Sequence, residues 1–334
     1  MTGTVRTIRW GILGTGRIAK AFATALKETP DAVLAAVASR SVDSATAFAS
    51  HHGAHELTKS HGSYQALADD PDVDAIYIAT PHPMHRENAL MCLAAGKHVL
   101  VEKAFAVNRR EAEEIVALAR AKKRFVMEAM WTRFHPAVLE AKRIVASGEI
   151  GTVATVQGDL GFYSEAGPEH RLFNPALGGG ALLDLGIYPL SIAAYFLGPV
   201  KTVQAVGQLG PTGVDVQCTF VLQHEKGGLA ACTASLAART PVEFTVCGSK
   251  GFVRLHNRFH NTEELTVELD DGSRRTQRVP YIGNGYAHEI IEVNRCLCEG
   301  LLESPVMPAD ETLALMGVLD EIRRQIGIVY DADR

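Results

Sequence analysis

Four short stretches carry side chains whose types and spacing could do chemistry. The first is Gly14-Thr15-Gly16-Arg17-Ile18-Ala19, a G-x-G-x-x-A run directly behind an apolar stretch. In such a run one glycine permits a tight turn, the next lets the backbone approach a pyrophosphate, and a small third residue lets helix pack on strand. The helix start that follows turns N–H groups and its positive dipole end toward phosphate oxygens. Gly14, Thr15, Gly16, Arg17 and Ile18 are therefore expected to hold a dinucleotide. The second stretch is Ala38-Ser39-Arg40-Ser41, with no acid before Asp43. An NAD site commonly ends this strand on Asp or Glu, which accepts from the ribose 2′-OH. Ser39 and Arg40 instead suit a 2′-phosphate, so NADP is expected rather than NAD. The third is Glu102-Lys103, closing the apolar run His98–Glu102. A partly desolvated ammonium there could hold a substrate oxygen and bias its protonation; the plainer reading is a lysine snorkelling from a strand end. The fourth is the run from Gly178 to Pro189, in which Asp184 and Tyr188 stand four apart. On a helix they share a face. Pro189 reads as a first-turn residue, which would put Tyr188 at a helix start, where the dipole favours phenolate. The plainer reading packs Tyr188 in the core and makes Asp184 a cap.

These residues need elements to position them. Up to about residue 127, strand-like runs alternate with helical ones: Ile8–Leu13, Arg17–Glu28, Val33–Ser39, Asp43–His51, Asp74–Ala79, Arg86–Ala95, His98–Glu102, Glu111–Lys122 and a strand from Phe125. The run Asp74–Ala79 does not alternate polar with apolar, so the sheet is parallel and covered on both faces. Behind it, Thr80-Pro81-His82-Pro83-Met84-His85 falls at a strand's carboxyl end, where ligands of open α/β sheets bind. His82 and His85 lack a third ligand at metal spacing, so a loop beside the cofactor is expected and no metal. Beyond residue 127 the pattern changes to helix Pro136–Ser147, strand Val153–Leu160, a helix near Leu185–Phe196, and six further strands between Thr202 and Glu268. Short turns between them imply a largely antiparallel sheet. Helices Tyr286–Leu302 and Asp310–Ile326 close the chain. The fold expected is α/β: a doubly wound Rossmann domain over 1–126, and an α+β substrate-binding and oligomerisation domain over 127–334 with an open sheet.

Bulk properties exclude other classes. The 334 residues suit about two domains, and the net charge of −5 gives no basic excess for nucleic acid or acidic lipid. No run reaches the ~18 consecutive apolar residues of a membrane span. Six scattered cysteines form no C-x-x-C pair, and the start lacks a signal peptide's apolar core. A reduced, cytoplasmic protein is expected, with no nucleic-acid or membrane partner, and assembled as a homodimer or homotetramer through the sheet's open face.

Together the Gly14-Thr15-Gly16 turn, Thr80-Pro81…His85, Glu102-Lys103 and Gly179-Gly180-Ala181-Leu182-Leu183-Asp184-Leu185-Gly186-Ile187-Tyr188 resemble the glucose–fructose oxidoreductase / inositol dehydrogenase (GFO/IDH/MocA) family along essentially the whole chain. Met127-Glu128-Ala129-Met130-Trp131-Thr132-Arg133-Phe134, the Gly179-Gly180-Ala181-Leu182-Leu183-Asp184 run, Ala38-Ser39-Arg40 and Glu303-Ser304-Pro305-Val306-Met307-Pro308 are most similar to its dihydrodiol and D-xylose dehydrogenase branch. The resemblance implies that Lys103 and Tyr188 are the catalytic pair and that Asp184 contacts a substrate hydroxyl. It implies that Thr80, Pro81, His85, Glu102, Lys103, Trp131 and Arg133 line the cofactor, and that Trp131 also lies near the substrate. Phe162, Tyr163, His170, Arg171 and Phe173, in the loop after Val153–Leu160, are expected to line the substrate pocket. The implied reaction moves a hydride between nicotinamide and a CH–OH group of a sugar or cyclic diol. Reduction of a keto- or anhydro-sugar is the alternative, as is a non-catalytic dinucleotide-binding regulator; the latter lose the lysine or the tyrosine, and both are present here. One departure is Ala104, where the family usually has proline.

Overall fold

The computed structural model describes residues 6–53 and 58–334. They form two compact units. The first comprises residues up to 106, 110–131 and 282–312. It holds β1 (Ile8–Leu13), α1 (Arg17–Glu28), β2 (Ala32–Ala38), α2 (Val42–His52), β3 (Lys59–His61), α3 (Tyr64–Ala68), β4 (Ala75–Ile78), α4 (His85–Ala94), β5 (His98–Glu102), α5 (Arg109–Lys122) and β6 (Val126–Ala129). The strands run parallel in the order β3-β2-β1-β4-β5-β6. The order reverses between β1 and β4, which places the ligand crevice of a doubly wound sheet at their carboxyl ends. All four residues of β4 are buried, as an unalternating central strand requires. Its Tyr77 ring stacks on Phe22 of α1 at 3.7 Å, and Phe22 meets Trp10 of β1 edge-on at 5.3 Å. This column seats α1 against the sheet just behind the glycine turn. Sequence periodicity missed β3 and α3. Both are short, and β3 is a polar edge strand held by the Lys59 and His61 pairs to Asp70; edge strands favour charge over apolar alternation.

The second unit comprises 107–109, 132–281 and 313–334. It contains α6 (Pro136–Ala146), β7 (Val153–Gly161), α7 (Ile187–Leu197), β8 (Val200–Leu209), β9 (Asp215–His224), β10 (Leu229–Ser235), β11 (Phe244–Gly248), β12 (Gly251–Leu255), β13 (Glu264–Leu269) and β14 (Arg274–Arg278). The eight strands lie in the order β14-β13-β12-β11-β7-β10-β9-β8. All neighbours are antiparallel except β7 and β10. The sheet buries one face: along β9 residues 218, 220, 222 and 224 are buried while 219, 221 and 223 are exposed. Residues 175–197 are long and apolar enough to cross a membrane, but the 18-residue window that meets this test is 94% buried inside the protein. The helical part, from residue 181, is the core helix of this unit.

Helix α8 (Ala287–Cys298) follows the second sheet in sequence yet packs in the first unit, and α9 (Ala309–Ile326) is followed by a short 3-10 helix, Asp331–Asp333. Residues 282–312, which periodicity alone assigns to the second half, are drawn to the first by specific groups. The Trp10 indole donates to Asn294 Oδ1 at 3.0 Å, and Asn294 Nδ2 donates to the Asp31 carbonyl at 3.0 Å.

Candidate active site

The glycine turn has the geometry that phosphate binding needs. Gly14 has φ +103°, a conformation that side-chain-bearing residues rarely adopt. Gly16 opens α1 with no side-chain cap, and the first turn carries no acid. A Cβ at Gly16 would meet no protein atom within 4 Å. Packing therefore does not require glycine there, whereas the close approach of a ligand's phosphates does. Thr15 is half-buried, Arg17 exposed, Ile18 half-buried, and Ala19 packs against the sheet. At the end of β2, Ser39 Oγ lies 3.3 Å from Thr15 Oγ1 and the Arg40 side chain is exposed. Ser41 is spent on capping α2, accepting from Ser44 N. These residues fit a dinucleotide with its pyrophosphate at the start of α1.

Side chains hold four backbone polar atoms of the chain around Lys103. Lys103 N donates to Glu102 Oε2 at 3.2 Å, and Phe105 N donates to Glu128 Oε1 at 3.1 Å. His82 Nε2 lies 3.1 Å from the Lys103 carbonyl oxygen. His85 has no exposed surface. Its Nδ1 lies 3.0 Å from the Ala104 carbonyl oxygen, and its Nε2 2.8 Å from that of Thr80. Burial, then the neighbouring His82, lower its pKa to about 3, so the ring is neutral and donates through one nitrogen at a time. The Lys103–Ala104 peptide is cis. Thr80 Oγ1 accepts from Asn88 Nδ2 at 3.2 Å, and Pro81 is exposed. Among the described residues no group of three or more His, Cys, Asp or Glu side chains could hold a metal ion.

Near Glu102 lies a second buried acid that spacing did not reveal. Tyr77 donates its hydroxyl to Glu102 Oε1. Burial, then the Glu102 charge, push the Tyr77 phenol well above its usual range. Glu289 of α8 is fully buried, and neither carboxyl oxygen has a hydrogen-bond partner among the described residues. Burial, then Glu102, push its pKa well above the usual carboxyl range. Trp131 is buried in the same unit, its ring stacked on Tyr286 at 4.1 Å.

In the second unit the Asp184–Tyr188 segment departs from expectation. The helical run begins at residue 181, passes through a wide π turn over Leu182–Gly186 and continues as α7. Tyr188 therefore sits seven residues inside it, beyond the first turn to which the dipole's pull is confined. Pro189 lies inside the run and does not mark its start. The π turn explains this, because it moves the i−4 carbonyl out of the proline ring's way. Tyr188 is buried, its ring 5.4 Å from that of His260; no motif pointed to His260. Asp184 is buried and ion-paired to Arg171 at 3.2 Å. Arg133 is buried, its Nε and Nη2 donating to Ser191 Oγ (2.9 Å) and O (2.8 Å), beside the Tyr195 ring. In the loop after β7, Phe162 and Tyr163 are exposed, and Phe173 is half-buried. His170 Nδ1 accepts from Leu172 N.

Residues 8–130 match an oxidoreductase family with an NAD-binding Rossmann fold, and residues 138–254 match the GFO/IDH/MocA C-terminal domain. The chain is 38% identical to the trans-1,2-dihydrobenzene-1,2-diol dehydrogenase of Bos taurus, over 98% of this chain and 99% of that one. It belongs to the GFO/IDH/MocA family. The Mus musculus protein of the same name is 37% identical over the same shares. Among solved structures, aldose-aldose oxidoreductase from Caulobacter crescentus, complexed with glycerol, superposes with a TM-score of 0.86 at 28% identity, covering 96% of this chain and 97% of that one. A 3-ketoreductase from Actinomadura kijaniata in complex with NADP gives 0.82 at 26%, covering 96% and 98%. The protein is thus a nicotinamide-dependent oxidoreductase whose Rossmann unit and mostly antiparallel second sheet follow the family's two-part plan.

The buried acid Glu289 gives a measurable prediction. In the unfolded chain it ionises near the ordinary carboxyl value, while in the folded protein it holds its proton to higher pH. The folded state then binds more protons, and stability falls as pH rises above that value, at up to about 1.4 kcal/mol per pH unit. Glu289→Gln should match wild type near pH 4 and gain on it steadily from pH 5 to 8 in urea midpoints. A gap that does not change with pH would contradict a protonated Glu289.

Proposed function

We propose that the protein is an NADP-dependent dehydrogenase of CH–OH groups in sugars or cyclic diols, with Lys103 and Tyr188 as its acid/base pair. The observation that carries this reading is Lys103 itself. It stands at the carboxyl end of β5, with the backbone on both sides held by Glu102, His82, His85 and Glu128, in a chain that aligns end to end with named dihydrodiol dehydrogenases. When bound, the nicotinamide supplies the hydride acceptor or donor. Tyr188 exchanges the proton on the substrate oxygen. Lys103 holds the same oxygen and, by its charge, favours the phenolate. Asp184 and Arg171 place a carboxylate and a guanidinium side by side, an acceptor and donors suited to a second, vicinal hydroxyl. Trp131 and Phe162 provide apolar surface for the ring of such a substrate. Reduction of a keto-sugar by the same residues is the second reading, favoured by the likeness to the 3-ketoreductase.

Tyr188→Phe should lower kcat on trans-1,2-dihydrobenzene-1,2-diol or D-xylose by roughly 10²–10⁴-fold and leave NADPH affinity within twofold by fluorescence titration. Near-wild-type turnover would refute the assignment.

The NADP preference rests on Ser39 and Arg40 and on the absence of an acid at the end of β2. Arg40→Asp should weaken NADP binding at least tenfold while NAD binding changes much less, since a paired guanidinium–phosphate contact contributes about 1.5–3 kcal/mol. Equal losses for both cofactors would count against it.

The chain assembles, on this reading, through the open face of the second sheet. Val206 (73% exposed), Val221 and Leu229 project from the same face of β8, β9 and β10, an apolar patch of the kind a second copy covers. Val221→Asp should shift the mass measured by light scattering toward that of the monomer. An unchanged mass would place the interface elsewhere.

A further inference from the structure

The start of the helix bearing Asp184 and Tyr188 has no local cap. The last residue before the run, Gly180, has no side chain to offer, and the backbone N–H groups of the first turn need acceptors. The acceptor comes from the first residue of β9. Asp215 Oδ2 accepts from Leu182 N at 2.7 Å, 33 residues away in sequence and fully buried. Its second oxygen faces Gly180. A Cβ there would sit 2.4 Å from Asp215 Oδ1 and 3.1 Å from the Tyr330 hydroxyl, and Gly180 has φ +126°. Both the backbone and the space demand glycine. Tyr330, also buried, donates its hydroxyl to the Gly179 carbonyl.

The tail that delivers Tyr330 is itself anchored. Tyr330 N donates to Asp333 Oδ2 at 2.9 Å, and Asp333 pairs with the buried Arg323. Asn108 Nδ2 donates to Asp333 Oδ1 at 3.0 Å and to the Ala332 carbonyl at 3.1 Å. The Arg323 guanidinium lies 5.3 Å from the Tyr330 ring centre. All of these groups belong to the second unit.

We propose that Asp215 and Tyr330 are positioning residues, which together fix the Gly178–Gly180 turn and the first turn of the helix, and so the pose of Asp184 and Tyr188. The proposal rests on the reading of those two as site residues. A carboxylate at a helix start is favoured both by the free N–H groups and by the dipole. Burial pushes the Asp215 carboxyl up to about 6, while the Leu182 N–H and the neighbouring Cys218 thiol pull it down. The groups facing it are Leu182 N–H, Gly180, the Cys218 thiol and the Tyr330 hydroxyl, with the Arg323 charge behind Tyr330.

Three variants of the full chain test this: Asp215→Ala, Asp215→Asn and Tyr330→Phe. They are assayed with NADP and trans-1,2-dihydrobenzene-1,2-diol, by NADPH fluorescence titration, and by amide hydrogen exchange of the 179–188 segment. Asp215→Ala is expected to lower kcat at least tenfold, in line with the roughly 10²-fold that a 1 Å misplacement can cost. It should speed exchange in 179–188 and leave NADPH affinity within twofold. Asp215→Asn keeps an acceptor oxygen for Leu182 N and should recover most of the rate. Tyr330→Phe should lower kcat about threefold with NADPH affinity unchanged; if Asp215→Ala fails to bind NADPH at all, this variant decides. Unchanged exchange in 179–188, or kcat within twofold of wild type in Asp215→Ala, would overturn the proposal, as would an Asn variant as poor as the Ala one. Failure of the catalytic reading shows differently: Tyr188→Phe, or wild type itself, gives the wrong turnover while the exchange data still report on Asp215.

Discussion

A backbone N–H at the start of a helix has no partner in its own helix, and this chain meets that constraint in two opposite ways. At α1 the start is left without a side-chain cap, with Gly16 giving access and no acid in the first turn. An uncapped, glycine-lined start is an anion site, and the dinucleotide-binding character of the first unit follows from it. At residue 181 the start is satisfied from inside the protein by Asp215, and the Gly178–Gly180 turn is shaped to let that carboxylate in. One helix start is kept open for a ligand. The other is closed so that the helix behind it can be stiff.

Burial of charge follows the same division. Glu102 is buried and accepts from the Tyr77 hydroxyl and Lys103 N. Among the described residues Glu289 has no such donors, and burial, then Glu102, push its pKa well above the usual carboxyl range. A second carboxyl near a buried one is disfavoured as an anion both by desolvation and by like charge. His85 lies between the carbonyl oxygens of Ala104 and Thr80, and as a neutral ring it donates to one of them at a time, so a residue that looks titratable in the sequence stays uncharged in the core.

Much of the fold was legible residue by residue. Helix Arg17–Glu28 and strands Ile8–Leu13 and His98–Glu102 have the bounds that periodicity and turn residues imply. The parallel sheet could be read from the unalternating β4. What stayed hidden had weak local signals: β3, α3 and β14 are short or highly charged and lie at edges or between stronger elements. Pro189 misled because its usual meaning assumes an α-helical register, and the π turn ahead of it changes the register.

The sequence by itself determined the glycine turn, the missing acid at the end of β2, the strand–helix alternation and the family. All of these rest on local chemistry: backbone conformations that only glycine adopts readily, side-chain charge at a strand end, and periods of two or 3.6 residues. Tertiary structure alone decided that α8 joins the first unit, that Glu289 is buried within reach of the Glu102 charge, and that the start of the helix bearing Tyr188 is capped by a residue 33 positions away. The physical reason is common to all three. Each joins partners that lie far apart in sequence and meet only in the assembled core.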